Sequence, residues 1–399
     1  MSPSPTSTAV RPDVPAWAAV VSVALGVFGL VTAEFLPASL LTPMAADLGI
    51  SEGVAGQAVT ATAVIALLTS LVTATATRNI DRRHLLIGFS LLLVASNLLV
   101  ALAPNLPLLL LGRVMLGVAL GGFWTMSTAV VMRLVPDESV PRALSIVFSG
   151  VAAATIAAAP IGSYVGDIAG WRSVFLMAAG LGLVTLLAQI GTLPKMAPSA
   201  SVIKLRTMVD VLLRPGLGLG MLSAMLVFTG HFAFFTYIRP FLETVTGVGI
   251  SAVSAILLGF GVANFLGTLL AGALIERSLR LTLVLTPLFM AVLGMGLVAF
   301  GGVPAGAAVM VALWGLAFGT VPVAWTTWLT RTAPDQAETA GGLLVAAIQF
   351  AIALGAAAGG AIFDLNGATG VFTASAAVLL LAALVIVTRI RPSRVMAPA

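Results

Sequence analysis

The chain has 399 residues, of which 60% are hydrophobic and 8% charged, and its formal net charge is +5. Soluble domains carry about 25% charged residues, and 19 Lys+Arg with 14 Asp+Glu cannot cover a water-soluble globule of this size. That excludes a soluble enzyme, a nucleic-acid binder and a disordered scaffold, and makes lipid the solvent for most of the chain. With no cysteine and two histidines, and no H-E-x-x-H motif, no metal site and no cofactor are expected.

Along the chain, residues 1–15 are Ser- and Pro-rich and read as a disordered cytoplasmic N-terminus. They lack the basic segment and cleavage site of a signal peptide, so the first span is expected to stay uncleaved. A membrane-crossing helix needs about 20 mostly apolar residues. Twelve such runs follow, at 17–43, 54–77, 85–103, 108–132, 141–165, 172–193, 215–240, 251–275, 281–301, 304–330, 340–363 and 370–389. The expected organisation is a six-helix half over 16–193, a cytoplasmic linker over 194–214, a second six-helix half over 215–390 and a cytoplasmic tail over 391–399. Of the 19 basic residues, 16 fall in the termini and alternate loops on one side, among them Arg11, Lys204, Arg206, Arg391 and Arg394. The positive-inside rule then places both termini in the cytoplasm.

The two halves repeat one another. Gly117, Gly121, Arg133, Pro136 and Asp137 recur 198 residues later as Gly315, Gly319, Arg331, Pro334 and Asp335. Gly162, Asp167, Gly170 and Phe175 recur after 197 as Gly359, Asp364, Gly367 and Phe372, and Asp81-Arg82 returns as Glu276-Arg277. A duplicated all-α bundle of this kind is a transporter architecture, in which the halves rock about a central site.

Glu34 is the one acidic residue well inside a predicted span. A carboxylate at the membrane centre costs about 2.5–3.5 kcal/mol on insertion scales, so its place needs a reason. One reading is a proton carrier that loads on one side and releases on the other; the alternative is a structural carboxyl bonded to a neighbouring helix. His231 lies near the middle of the seventh span, where it could take a proton, bond to a cargo edge or simply pack. Arg113 is costly in lipid and must find carbonyls, water or a carboxylate.

The loop Arg78-Asn-Ile-Asp81-Arg82-Arg83 resembles the signature loop of the major facilitator superfamily. Arg113-x-x-x-Gly117-x-x-x-Gly121-Gly122 resembles its fourth-span motif, and Ala159-Pro160-Ile161-Gly162-Ser163 resembles the fifth-span motif of its antiporters. Glu34-Phe35-Leu36-Pro37, Leu41-Thr42-Pro43-Met44, Gly121-Gly122-Phe123-Trp124 and Phe234-Phe235-Thr236-Tyr237-Ile238-Arg239-Pro240 are similar to the proton-coupled exporters of purine ribonucleosides within it. Exporters of sugars share the Glu-Phe-Leu-Pro element, so proton-coupled export of sugars or lipophilic drugs is the other reading.

The resemblance implies the major facilitator fold in a bacterial inner membrane, with a monomer exchanging nucleosides for protons by alternating access. Its partners would be nucleoside, protons and the bilayer, with no nucleic acid. Glu34 and Arg113 would couple protons. In this superfamily spans one, four, seven and ten line the cavity, which points to Trp124, Thr125, His231, Phe235, Tyr237 and Trp325 beside Glu34. Asn264 and Gln349 add polar groups. At His231 the exporters it resembles carry an amide, a departure that favours hydrogen bonding to substrate over obligatory proton transfer. Asp81, Arg82, Glu276 and Arg277 would form a cytoplasmic gate, with Pro160 and Gly162 serving helix movement.

Overall fold

The computed structural model of the chain describes residues 14–198, 210–214 and 216–389. Arg11, Lys204, Arg206, Arg391 and Arg394, the tail and most of the expected N-terminal and linker segments lie outside the described residues. Lipid offers no partner to a bare peptide group, so each span must close its own hydrogen bonds as a helix. Among the described residues ten helices are long and apolar enough to cross a membrane. The first half contains α1 (Trp17–Leu48), α2 (Gln57–Ala76), α3 (Arg82–Ala101), α4 (Leu106–Leu134), α5 (Val140–Ala169) and α6 (Trp171–Thr192). The second contains α7 (Leu217–Thr236), α8 (Ile250–Phe300), α9 (Pro304–Thr332) and α10 (Ala337–Arg389).

Helices α8 and α10 have 51 and 53 residues. At about 1.5 Å per residue each would run to roughly 75–80 Å, against a hydrocarbon core about 30 Å thick. Each is two spans joined at a single broken residue, which completes twelve crossings in two halves of six. In α8 the backbone becomes extended at Ser278 (φ −169°, ψ 108°). The Ser278 hydroxyl accepts the Leu281 N–H at 3.3 Å and so caps the second arm. In α10 the break is Gly367, with φ +67°. Its repeat equivalent Gly170, φ +81°, divides α5 from α6. Both turns need a backbone that only glycine adopts cheaply. The loops expected at these junctions are therefore one residue long, because a cap or a glycine suffices to reverse the chain.

The duplication is also visible in the packing. Gly117 and Gly121 of α4 lie against the carbonyls of Thr62 and Ala66 on α2. Gly315 and Gly319 of α9 lie against the carbonyls of Phe260 and Asn264 on α8. The 198-residue offset thus holds for the contacted carbonyls as well as for the glycines. A side chain at any of the four would collide with backbone, so these crossings can be this close only with glycine.

Helix α1 continues to Leu48 through Pro37 and Pro43. A helical proline lacks the N–H that the carbonyl four residues earlier would accept. Pro37 and Pro43 thereby release the carbonyls of Ala33 and Ser39. Two buried arginines take them: Arg113 donates Nη1 to Ala33 O at 2.8 Å, and Arg239 donates Nη1 to Ser39 O at 2.6 Å. Each proline creates the acceptor that a buried cation needs.

The halves meet tightly at one end. A short helix, Ile238–Thr244, follows α7 and carries Arg239, whose Nε also donates to Glu243 at 2.7 Å. Tyr237 is fully buried there, donates to Ala356 O at 2.9 Å and packs on Gly56 and Gly360. The Ser51 hydroxyl donates to Asp364 at 3.0 Å. These contacts seal the end that bears the α1–α2 turn and the break in α10.

Candidate functional site

Glu34 faces the seam between the halves and is 8% exposed. Its Oε1 is buried without a hydrogen-bond partner among the described residues. Arg113 of α4 is fully buried behind it and makes three main-chain bonds: Nε to Ala58 O at 3.0 Å, Nη1 to Ala33 O and Nη2 to Glu34 O at 3.3 Å. The guanidinium thus holds the backbone that carries the acid, while its charge acts on the carboxyl from nearby. Gln349 of α10, buried in the opposite half, lies beside the same carboxyl. An acid with a vacant acceptor, a fixed cation and an amide from the other half form the polar part of the site.

The apolar part is aromatic. A gap of about 10 Å³ runs between Glu34, Phe35, Ala38 and Val59 on one side and Phe232, Phe235, Thr236 and Ile352 on the other. That is room for about one water, far below the 300–1,000 Å³ of typical ligand pockets. Cargo of any size would require the halves to part here. Phe35 meets Phe235 edge-on at 5.6 Å, the first half's ring in a cluster otherwise built by the second.

His231, one turn before Phe235 on α7, stacks flat on Phe318 of α9 at 3.3 Å and 3°. It lies within 16–17° of the planes of Phe260 and Phe235. The indole N–H of Trp314 donates to His231 Nδ1 at 3.1 Å.

Five of the residues singled out in the sequence therefore converge: Glu34, Arg113, His231, Phe235 and Gln349. The others lie elsewhere in this conformation. Trp124 packs on Phe148 within the first half. Thr125 turns to α2 and donates to Gly121 O and Ser70 O, since a hydroxyl on a helix bonds its own preceding turn. Tyr237 belongs to the sealed end. Asn264 donates to Gly315 O at 3.4 Å and ties α8 to α9. Trp325 meets Trp328 edge-on, and Trp328 packs on Gly220 of α7.

The expected gate is divided between two settings. Asp81 caps α3 through Arg83 N at 2.8 Å and accepts Met196 N at 3.1 Å, which fixes the first half to the start of the linker. Arg82 is buried and donates to the hydroxyl of Thr77. Glu276 and Arg277 are exposed at the break in α8. Pro160 lies inside α5, and Gly162 packs on Leu36 and Ser39 of α1.

Sequence reasoning missed Phe35, Phe232, Phe318 and Trp314. A wider groove of about 390 Å³ lies at the break in α8, lined by Leu270, Leu274, Leu281, Leu285 and Phe289. It has one charged lining residue, Arg277, and its hydroxyls are bonded to one another or to their own helices (Thr286 with Thr320, Thr282 to Ser278 O, Thr320 to Ala317 O), so its size does not make it the site.

Residues 23–347 and 221–398 match the profile of the Major Facilitator Superfamily. The chain is 46% identical over 377 residues to the purine ribonucleoside efflux pump NepI of Salmonella paratyphi B, covering 94% of this chain and 95% of the relative. The protein of the same name from Salmonella enteritidis PT4 matches at the same identity and coverage. Among solved structures, a D-xylose-proton symporter superposes with a TM-score of 0.75 at 17% identity, over 94% of this chain and 97% of the other. A bacterial homologue of the human lysosomal transporter Spinster, inward-facing and occupied, also gives 0.75 at 16% identity, over 93% and 96%.

Proposed function

From a chain that belongs to the major facilitator superfamily, we propose a bacterial inner-membrane exporter that moves purine ribonucleosides outward in exchange for protons. The cargo follows from 46% identity along almost the whole length to pumps named for it. The coupling rests on one observation: the Glu34 carboxyl lies on the seam between the halves, with one oxygen that has no partner among the described residues. Alternating access exposes such a seam to each side in turn, so the acid can exchange a proton with either compartment. The aromatic cluster supplies flat faces for a base, and Gln349 and His231 supply edge contacts.

With both termini in the cytoplasm, the sealed end faces outward. The cycle then runs as follows. In the outward-open state Glu34 takes a proton as nucleoside leaves, and the neutral carboxyl lets the seam close. In the inward-open state the proton departs and the carboxylate again accepts from cargo. Arg113, tied to three carbonyls, keeps the acid in place throughout.

The test is inosine transport by purified protein in liposomes, with and without an imposed pH gradient. Accumulation driven by an oppositely directed proton gradient supports cargo and coupling together. Exchange of inosine that ignores the gradient rejects coupling and keeps the cargo. Folded protein that gives no inosine signal rejects the cargo and returns the assignment to sugars or lipophilic drugs.

A further inference from the structure

We infer that His231 is a specificity-determining residue, held by Trp314 as a fixed hydrogen-bond donor, so that the site favours 6-oxopurine nucleosides over the 6-aminopurine nucleoside. The inference rests on the nucleoside reading above and adds to it which purine edge is read.

The argument begins with Trp314. An indole nitrogen donates and never accepts. Its bond to His231 Nδ1 at 3.1 Å therefore requires a bare lone pair on Nδ1. A neutral imidazole carries one N–H, which must then be on Nε2. The other tautomer and the doubly protonated ring would both set N–H against N–H. Neither ring is free to turn out of this arrangement. Trp314 is fully buried and stacked on Phe234 at 3.8 Å and 8°. His231 is flat on Phe318 and 2% exposed. Its Nε2 has no partner among the described residues, leaving one N–H unspent on a ring whose neighbours Phe232 and Phe235 line the gap.

The planes set the tilt at which a base could meet that N–H. Phe235 lines the gap with Glu34 and is within 17° of the imidazole plane. A flat base stacked on Phe235 would lie nearly parallel to His231, the tilt at which a rim atom can meet Nε2–H in plane. Hydrogen bonds to carbonyl oxygens prefer that in-plane approach. A carbonyl at the purine 6-position accepts this proton, whereas an amino group there opposes N–H to N–H. Adenosine keeps ring nitrogens as acceptors, so it should bind more weakly rather than be refused.

The experiment is competition of unlabelled inosine and adenosine against radiolabelled inosine, on purified protein in liposomes. Native protein is expected to favour inosine about three- to tenfold, the range of one net hydrogen bond. Trp314→Phe keeps the stacked ring and removes the N–H; with Nδ1 released, His231 can present either donor or acceptor, and the ratio should fall toward one. His231→Gln, whose amide can turn either way, should also bring the ratio toward one while retaining binding. Melting temperature in detergent checks the fold of each variant, and should Trp314→Phe fail to fold, His231→Gln carries the test. A native preference for adenosine, or an inosine-to-adenosine ratio unchanged in the folded variants, overturns the inference. Native protein that binds neither nucleoside overturns the parent reading instead.

Discussion

The two halves share a backbone and divide the chemistry. Glycines 198 residues apart sit on carbonyls 198 residues apart, so duplication preserved how α4 crosses α2 and how α9 crosses α8. What projects into the centre has diverged. The first half presents an acid and a buried cation, Glu34 and Arg113. The second presents rings, Phe232, Phe235, Phe260 and Phe318, with His231 among them. Close helix crossings tolerate little change because a single Cβ meets backbone. Inward-facing side chains can change while the crossings stay, and one half came to hold charge while the other holds surface.

The largest test of that division is Glu34→Gln against Phe235→Ala. Glu34→Gln is expected to abolish gradient-driven accumulation while inosine-for-inosine exchange continues. Phe235→Ala should keep its response to the gradient and lose about tenfold in affinity, a typical loss for one buried aromatic contact. If Phe235→Ala uncouples, or Glu34→Gln accumulates inosine normally, the division fails.

The next effect concerns stability and belongs to the first half alone. Arg113→Met leaves the Ala33 carbonyl bare, because Pro37 offers it no N–H. A loss of about 1–3 kcal/mol is expected for such an orphan, read as a lower melting temperature in detergent. Adding Pro37→Ala returns the helical N–H, so the double variant should melt above Arg113→Met. Equal melting of the two would show that the carbonyl is not what Arg113 serves.

A smaller effect lies at the sealed end. Pro43→Ala should give Ser39 O a partner within α1 and weaken the hold of Arg239 across the halves. The chain has no cysteine, so a single cysteine introduced at Ala55, which is 1% exposed beside Gly56 of the seal, reports opening without background. Its labelling rate should rise about threefold, as loss of part of one hydrogen bond would give. An unchanged rate would mean that Tyr237 and its glycine neighbours keep the end shut without Arg239.

The smallest effect is outside the membrane. Arg214 donates two bonds to Asp335, at 2.8 and 2.7 Å, and these hold the Asp335 carboxyl below its usual range. A carboxylate whose folded value is depressed contributes stability above its unfolded value and loses it as pH falls through the folded one. Both groups lie at the surface, however, and such pairs contribute little. Asp335→Asn should leave melting at neutral pH unchanged; a clear drop would show the pair to be more than a surface contact.

The spans, the duplication and the polar centre were legible in the sequence. Glu34 and Arg113 stood out because charge in lipid demands an explanation, and His231 and Gln349 because polar side chains are scarce in their spans. The rings were not legible in the same way. On a helix that is apolar all round, lipid and core are equally greasy, so periodicity cannot say which face of α9 turns inward. Phe318 was passed over and Trp325 chosen, although they lie on the same helix. Trp314 had a readable sign: a buried indole N–H needs an acceptor, and His231 is the histidine lodged within a predicted span. The two-residue rule linking Pro37 with Arg113 and Pro43 with Arg239 was open to arithmetic, since each proline frees the carbonyl four positions back. Which arginine would collect it required the fold.

That Arg113 and Arg239 bond to main-chain oxygens has a consequence for how the protein tolerates inherited change. A carbonyl is carried by every amino acid, so no substitution at Ala33, Ser39 or Ala58 can delete an acceptor, only crowd it. The donors have no such insurance, and neither do the two prolines that set the acceptors free. In a saturation screen for export, the sensitive positions in these contacts should therefore be Pro37, Pro43, Arg113 and Arg239, with small residues accepted freely at the three positions they hold.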